Sequence, residues 1–433
     1  MDSAFVEQVT STKMFTGRLA VVAGAGRSGL AAAKLLHKLK ATVRIVDSNV
    51  DLTDDILKGL GDTELMTGPF CEEQFAGADV IIASPGIPAR KIAPFIGDLP
   101  ERAIISELEL ASWFANEPKI AITGTNGKTT TTALIEHILK ESGRKPFAGA
   151  NYGTPLSEFI AADGEADVLV LEVSSFQLQN CRLFRPKAAI LLNISPNHLN
   201  YHEDMDEYLA AKLKIFERQS EDELAILPAE MRGQLDPSEF TKAEVKWFDG
   251  STFAEQPNLP GYHNRLNMEA AWLALEKIGL TRAEFEAGLK TFTGKPHRIQ
   301  DIGSVDGIRF IDDSKGTNLD AVSAALKSFD GPVRLLLGGV FKGGDVSSLI
   351  PDMLNKVAEV GLFGAGREYF EPALKNEFNL SWHEDLEKAV RALFENAQAG
   401  DTILLSPATA SFDAYSGYEE RGADFKRIME ELS

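Results

Sequence analysis

The stretch ITGTNGKTTT, residues 122–131, reads as a phosphate-binding loop of unusual length. A common nucleotide loop is G-x-x-x-x-G-K-[ST], which would need glycine at position 122. Ile122 stands there, and the first glycine is Gly124, so the loop is G-x-x-G-K-T, two residues shorter. Its context supports the reading. The run Lys119–Thr123 is strand-like, and Leu134, Ile135, Ile138 and Leu139 then share one face of a helix that Gly143 stops. Between a strand and a helix N-terminus, Gly124 and Gly127 let backbone N–H groups wrap phosphate oxygens, with Thr125, Asn126 and Thr130 completing the loop. Lys128 supplies a point charge for β- and γ-phosphates, and Thr129 a hydroxyl for Mg²⁺.

The same strand–turn–helix alternation runs along the whole chain, which predicts an α/β fold with mostly parallel sheets flanked by helices. It restarts three times. In the first segment Leu19–Ala23 is a strand, Gly24, Gly26 and Gly29 follow in G-x-G-x-x-G spacing, and residues 31–39 read as a helix. Those glycines let the backbone approach a pyrophosphate, and Asp47, 18 residues after Gly29, falls where a ribose-binding acid would stand. The later run DVIIASPGIP is a strand breaking at Ser84-Pro85-Gly86, and residues 99–118 read as one helix and a polar connection. The third segment opens near Lys295-Pro296 and holds IRFIDDS, PVRLLLGG, EVGLFGAG and DTILLSP, each a strand running into a small-residue turn. Three domains are therefore expected: a Rossmann-like one over residues 1–105, a central P-loop-type one over 106–294 and a second Rossmann-like one over 295–433.

Composition narrows the function. The 433 residues carry 44 basic and 64 acidic side chains, a net charge of −20, which argues against a general nucleic-acid binder. Anionic small substrates remain open, because a few cations and helix N-termini suffice for them. Two cysteines, Cys71 and Cys181, make a disulfide framework improbable. No apolar run reaches the roughly 18 residues of a membrane span, and the first fifteen residues lack a signal peptide's apolar core. A cytoplasmic protein without membrane insertion is expected.

Several further residues carry chemistry. Glu172 ends the strand VLVLE, where a carboxylate can bind Mg²⁺ or serve as a cap. His198 follows the strand ILLNI. In DEYLAAKLKIFE, Leu209, Leu213 and Phe216 form an i, i+4, i+7 stripe, and Lys212 sits on its apolar side, where it must snorkel or find a partner. Asn264 and Asn267 lie on one face at the start of an Ala-rich helix, where capping would explain one of them. Residues 312–318, DDSKGTN, cluster acids, a lysine and hydroxyls after a strand, as a binding site would.

In order, TGTNGKTTT, LEVSSFQL, a histidine after LLNISPN, YLAAKLKIF, GYHNRLN, FTGKPHR, IDDSKGTN, LLLGG and LLSPATASFD resemble the Mur ligases of peptidoglycan precursor synthesis, over nearly the whole chain. IDDSKGTN is similar to the branch that adds D-glutamate to UDP-N-acetylmuramoyl-L-alanine, so these two small molecules are the implied substrates, with ATP as co-substrate and Mg²⁺ as cofactor. The resemblance implies that Gly24, Gly26, Arg27, Ser28, Asp47, Ser48, Ser84, Pro85, Gly86 and Asn151 hold the UDP-sugar. It implies ATP contacts from residues 124–130 and from Asn264, Asn267, His297, Arg298 and Asp313. Lys128, Glu172, His198 and Lys212 are the implied catalytic set, with Thr129, Glu172, His198 and Lys212 about the metal, Lys212 as a carbamate formed with CO₂. Lys315, Thr317, Lys342, Ser411 and Tyr418 are the implied D-glutamate site. A monomer is expected, as is closure of the third domain over the second to keep water from an acyl phosphate.

The sequence departs from the family pattern in places. Asn197 and Asn200 flank His198 where aspartates are common, Asp312 stands where asparagine is common, and Thr409 replaces a frequent cysteine, for which little consequence is expected. Two rival classes remain: an NAD(P) oxidoreductase, which leaves the GTNGKT loop unexplained, and a nucleotide-dependent switch that ligates nothing. Among ligases, a folylpolyglutamate synthase would share the ATP loop but not a dinucleotide-type first domain.

Overall fold

The computed structural model describes residues 15–197, 201–256, 259, 261–294, 296–327, 329 and 331–432. His198, Asn200, Lys295 and the N-terminal residues 1–14 lie outside them. The chain carries three sheets, each flanked by helices. They divide into two compact units, one holding residues up to Thr252 with Leu266–Phe292, the other Phe253–Arg265 with Thr293 onward.

The first sheet runs in spatial order β3 (Thr63–Thr67), β2 (Thr42–Asp47), β1 (Leu19–Ala23), β4 (Val80–Ala83), β5 (Ile104–Ser106), with all pairs parallel. The order reverses between β1 and β4, so the glycine loop after β1 meets the Ser84 turn after β4. Ser84 Oγ donates to Gly24 O at 3.0 Å. A crevice at such a reversal, outside the carboxyl ends of the strands, is where open α/β sheets bind ligands. The expected helix over residues 99–118 is instead a short edge strand followed by the helix Glu107–Ser112. β-Branched Ile104 and Ile105 favour the extended backbone, and Ser106 then caps the helix by accepting from Glu109 N.

The second sheet, in the same unit, has the order β11 (Glu244–Phe248), β10 (Leu224–Pro228), β9 (Ala188–Leu191), β6 (Lys119–Thr123), β8 (Val168–Glu172), β7 (Pro146–Ala150). It is wholly parallel, and β6, β8, β9 and β10 are almost continuously apolar and buried on both faces, as parallel sheets covered by helices require. Register sets the site. Ile122 pairs Glu172 and Thr123 pairs Leu191, so Glu172 and Asn193 flank the loop that leaves β6.

The third sheet, in the second unit, is β12 (Gln300–Val305), β13 (Ile308–Asp312), β17 (Thr402–Leu405), β14 (Val333–Gly338), β15 (Val357–Phe363), β16 (Leu380–His383). Only β12 is antiparallel, paired to β13 through a hairpin. The carboxyl ends of β13, β17 and β14 bring together Asp312–Ser314, Ser406 and Gly338–Gly339. No helix among the described residues is long and apolar enough to cross a membrane.

Candidate active site

The short loop has the geometry the sequence predicts. Gly124 (φ +146°) and Gly127 (φ +83°) occupy backbone regions that side chains disfavour, and the helix Lys128–Glu141 starts directly on Gly127. Asn193, which the sequence reading passed over, clamps the loop. Its Oδ1 accepts from Thr125 N (3.1 Å) and Asn126 N (2.8 Å), and its Nδ2 donates to Asn126 O. The available signal was positional: a polar residue just past a buried strand. A Cβ on Gly127 would sit 2.5 Å from Asn267 Oδ1. Gly127→Ala therefore combines a left-handed backbone with a clash. It is expected to destabilise the fold by about 1–3 kcal/mol in urea unfolding and to raise KM for ATP.

Two lysines converge on one carbonyl. Lys128 Nζ donates to Gly124 O (2.8 Å) and Thr125 O (2.7 Å), and Lys212 Nζ donates to Gly124 O (2.9 Å). Lys212 does not snorkel: it is 1% exposed, on the helix Met205–Leu213, with its ammonium 4.5 Å from the centre of the Tyr208 ring. Burial first, and the Lys128 charge second, push the Lys212 amine well below the usual lysine range, with Glu172 opposing. The helix ends at Leu213, so Phe216 of the expected stripe packs beyond it. Tyr208 Oη lies 3.2 Å from Thr125 Oγ1, tying this helix to the loop.

Glu172 is buried. Its Oε1 accepts from Asn151 Nδ2 at 2.7 Å, and its Oε2 has no hydrogen-bond partner among the described residues. Asn151 thus stands with Glu172 at the end of the second sheet. His202, four residues beyond His198, is also buried, with Nε2 2.9 Å from Ser175 Oγ and its ring against Phe176, Tyr201 and Tyr208. Burial pushes its imidazole below the usual histidine range.

In the first sheet, Asp47 turns its carboxylate onto the glycine loop, accepting from Ala25 N at 2.7 Å and from Asn49 N at 2.9 Å. Gly26 precedes the helix Arg27–Lys38 as its N-cap, with Arg27 exposed and Ser28 half-buried in its first turn. Ser48 is also exposed, beyond β2. Asn264 and Asn267 fall within the first two turns of the helix Tyr262–Lys277, both buried, so neither caps it.

The second unit holds the remaining residues. Lys315 Nζ donates to Tyr418 Oη at 3.0 Å and lies 4.6 Å above that ring, while Lys342 Nζ is 3.4 Å from Thr317 Oγ1. Ser411 is buried beside the bridge that joins Val340 to Ala410. Asp313 is buried, accepting from Ser406 Oγ at 2.7 Å, and burial pushes its carboxyl up to about 7 against the opposing bonds and Arg298. A raised carboxyl pKa means that the folded state holds a proton the unfolded chain loses. This contribution is complete below the ordinary aspartate range and is lost as pH rises through about 7. Relative to Asp313→Asn, wild-type stability should fall by about 1.4 kcal/mol per pH unit across that window in urea titrations.

Thr409 matters more than the sequence reading allowed. It is buried, its Oγ1 donates to Gly338 O, and Arg421 donates to its carbonyl at 3.2 Å. Arg421 is fully buried and also binds Ser314 through Oγ (2.9 Å) and O (2.7 Å), holding two loops together. Its signal was in the sequence: with Phe425 and Ile428 it makes an i, i+4, i+7 stripe, a charge on an apolar face as at Lys212.

Three family models match in chain order: a "Mur ligase MurD-like, N-terminal domain" over residues 18–96, a "Mur ligase middle domain" over 122–247 and a "Mur ligase, glutamate ligase domain" over 297–409. The chain belongs to the Mur ligase family. It is 45% identical to the UDP-N-acetylmuramoylalanine--D-glutamate ligase of Desulfovibrio desulfuricans, covering 99% of this chain and 100% of that protein. It is 46% identical to the protein of the same name from Oleidesulfovibrio alaskensis, over 95% and 94%. Among solved structures, MurF from Acinetobacter baumannii is similar at TM-score 0.62 and 16% identity, covering 98% of each chain. MurC from Thermotoga maritima is similar at TM-score 0.57 and 18% identity, covering 96% of this chain and 100% of that one. These two likenesses concern the fold.

As a Mur ligase the protein uses ATP with Mg²⁺. The residues present suit that cation. Glu172 Oε2 is a carboxylate oxygen left over inside the protein, on the strand paired with the one that leads into the loop of Thr129, and hard cations take such oxygens. No three of His, Cys, Asp and Glu gather into a cluster among the described residues. Mg²⁺ keeps several waters and needs few protein ligands.

Proposed function

We propose that the chain joins D-glutamate to UDP-N-acetylmuramoyl-L-alanine with hydrolysis of ATP to ADP and phosphate, a step of peptidoglycan precursor synthesis. The observation that carries it is similarity along the full length to ligases of that name, 45% identity over 99% of the chain.

The L-alanine carboxylate attacks the γ-phosphate and ADP leaves, giving an acyl phosphate. The D-glutamate amine then attacks the acyl carbon, phosphate departs, and the amine loses a proton to leave an amide. Lys128 gives up its two loop carbonyls for phosphate oxygens, where its charge meets the negative charge that builds in the transition state. Thr129, Glu172, His198 and Lys212 as a carbamate would hold Mg²⁺, which when bound would supply positive charge to offset the same build-up. The buried amine of Lys212, whose charged form burial disfavours, can attack CO₂ and release one proton, becoming an anion beside Lys128. Asn264, Asn267, His297, Arg298 and Asp313 are read as contacts to adenosine and phosphates. Residues Gly24, Gly26, Arg27, Ser28, Asp47, Ser48, Ser84–Gly86 and Asn151 are read as the UDP-sugar site.

D-Glutamate carries two carboxylates. Lys315 and Lys342 supply two cations in one neighbourhood, with the Thr317, Ser411 and Tyr418 hydroxyls about them. The working division is a UDP-sugar domain over 1–105, an ATP domain over 106–294 and an amino-acid domain over 295–433, in a cytoplasmic monomer. A panel of amino acids tests the substrate. Mass spectrometry should find an amide only with D-glutamate, and a product with another amino acid in its place would move the enzyme to another branch.

A further inference from the structure

Asp312 ends β13 with its carboxylate 1% exposed, and its two oxygens face different donors. Oδ1 accepts from Ser314 N at 2.8 Å, and Oδ2 lies 2.6 Å from His297 Nδ1. The backbone bends to make this pair. His297 has φ +64° and Ile299, a β-branched residue, φ +46°, both in the left-handed region that such residues avoid. The helix Tyr418–Glu431 passes the pair at Gly422, where any Cβ would land on His297 Nδ1 and Asp312 Oδ2. The preceding residue, Arg421, is buried with its guanidinium within electrostatic reach of Asp312.

We propose that Asp312 is the positioning residue of His297. It accepts the hydrogen bond of the Nδ1–H group, fixes the ring in the Nδ1–H tautomer and presents Nε2 as a hydrogen-bond acceptor to the nucleotide. The proposal rests on the reading of His297 as a nucleotide contact. A carboxylate with one oxygen engaged by a backbone N–H can only accept with the other, so Nδ1 must donate. A neutral ring held in this way carries its lone pair on Nε2. A ribose hydroxyl or the adenine amino group can donate to that nitrogen, and a phosphate oxygen cannot. Strained backbone at two positions and a helix glycine kept open for the ring all serve one side-chain orientation.

Asparagine at 312 would reverse the arrangement. Its one oxygen goes to the Ser314 N–H, its amide then faces Nδ1 as a donor, and the ring proton moves to Nε2. The test is ¹⁵N-resolved NMR of the histidine rings in the full chain, with His297 assigned by its loss in His297→Gln. The wild type should show the Nδ1–H tautomer and Asp312→Asn the Nε2–H tautomer. KM for ATP should rise about tenfold in Asp312→Asn, with kcat within about twofold and KM for D-glutamate unchanged. Should that variant not fold, Asp312→Ser is the second, with mixed tautomers and the same selective rise. An Nε2–H tautomer in the wild type overturns the proposal. So does an unchanged KM for ATP once the tautomer has flipped. If the tautomers are as stated but a non-hydrolysable ATP analogue leaves the Nε2 resonance unmoved, the nucleotide reading of His297 fails, and the proposal with it.

Discussion

Lys212→Ala should lower kcat on the order of a thousand-fold while leaving the protein folded, because one pre-organised charge in a dry site commonly contributes that much. The fold should survive, since Gly124 O keeps its bond from Lys128 when Lys212 is removed. Two controls separate a carbamate from a plain ammonium. Wild-type activity should fall in CO₂-free buffer and return with bicarbonate, and formate or acetate should partly restore Lys212→Ala by supplying an anion to the vacated space. A Lys212 variant indifferent to small carboxylates, with a wild type indifferent to CO₂, would leave the lysine acting as a cation. That outcome fits poorly with an amine which burial holds towards its neutral form.

Lys128→Met should be as damaging, by about a thousand-fold in kcat/KM, and through two routes. The first is loss of the charge that meets the phosphate. The second is indirect: the Lys128 charge helps hold the neighbouring Lys212 amine low, so its removal raises that amine and disfavours the carbamate. Bicarbonate should therefore recover the small part of the activity lost through the second route, and none of that lost through the first. Initial rates over a range of bicarbonate concentrations, with circular dichroism as the check on folding, measure both.

Much of this was legible in the sequence because it rests on local rules. The loop at Gly124–Thr129 announced itself by glycines between a strand and a helix, and β1, β6 and β8 by continuous apolar runs. Lys212 stood out as a charge on an apolar stripe, and the structure resolved the choice between snorkelling and partnering in favour of burial. What stayed hidden depends on residues far apart in the chain. Asn193 meets the loop 67 residues away, Arg421 reaches Ser314 107 residues away, and Thr409 gained its weight only from the carbonyl of Gly338. The cap that would have explained one of Asn264 and Asn267 is not there, since both lie inside the helix, and helix ends are set by hydrogen bonding that composition leaves undetermined. The helix expected over residues 99–118 gave way to β5 because an edge beside β4 was free to pair.

The most direct measurement of the central claim is the fate of an oxygen. UDP-N-acetylmuramoyl-L-alanine labelled with ¹⁸O in its alanine carboxylate is turned over with ATP, Mg²⁺ and D-glutamate, and the released phosphate is examined by mass. The account predicts one ¹⁸O in each phosphate, because that carboxylate oxygen attacks phosphorus and leaves with it when the amine arrives. Unlabelled phosphate formed alongside the amide would contradict the acyl-phosphate route, and phosphate formed without any amide would contradict ligation itself.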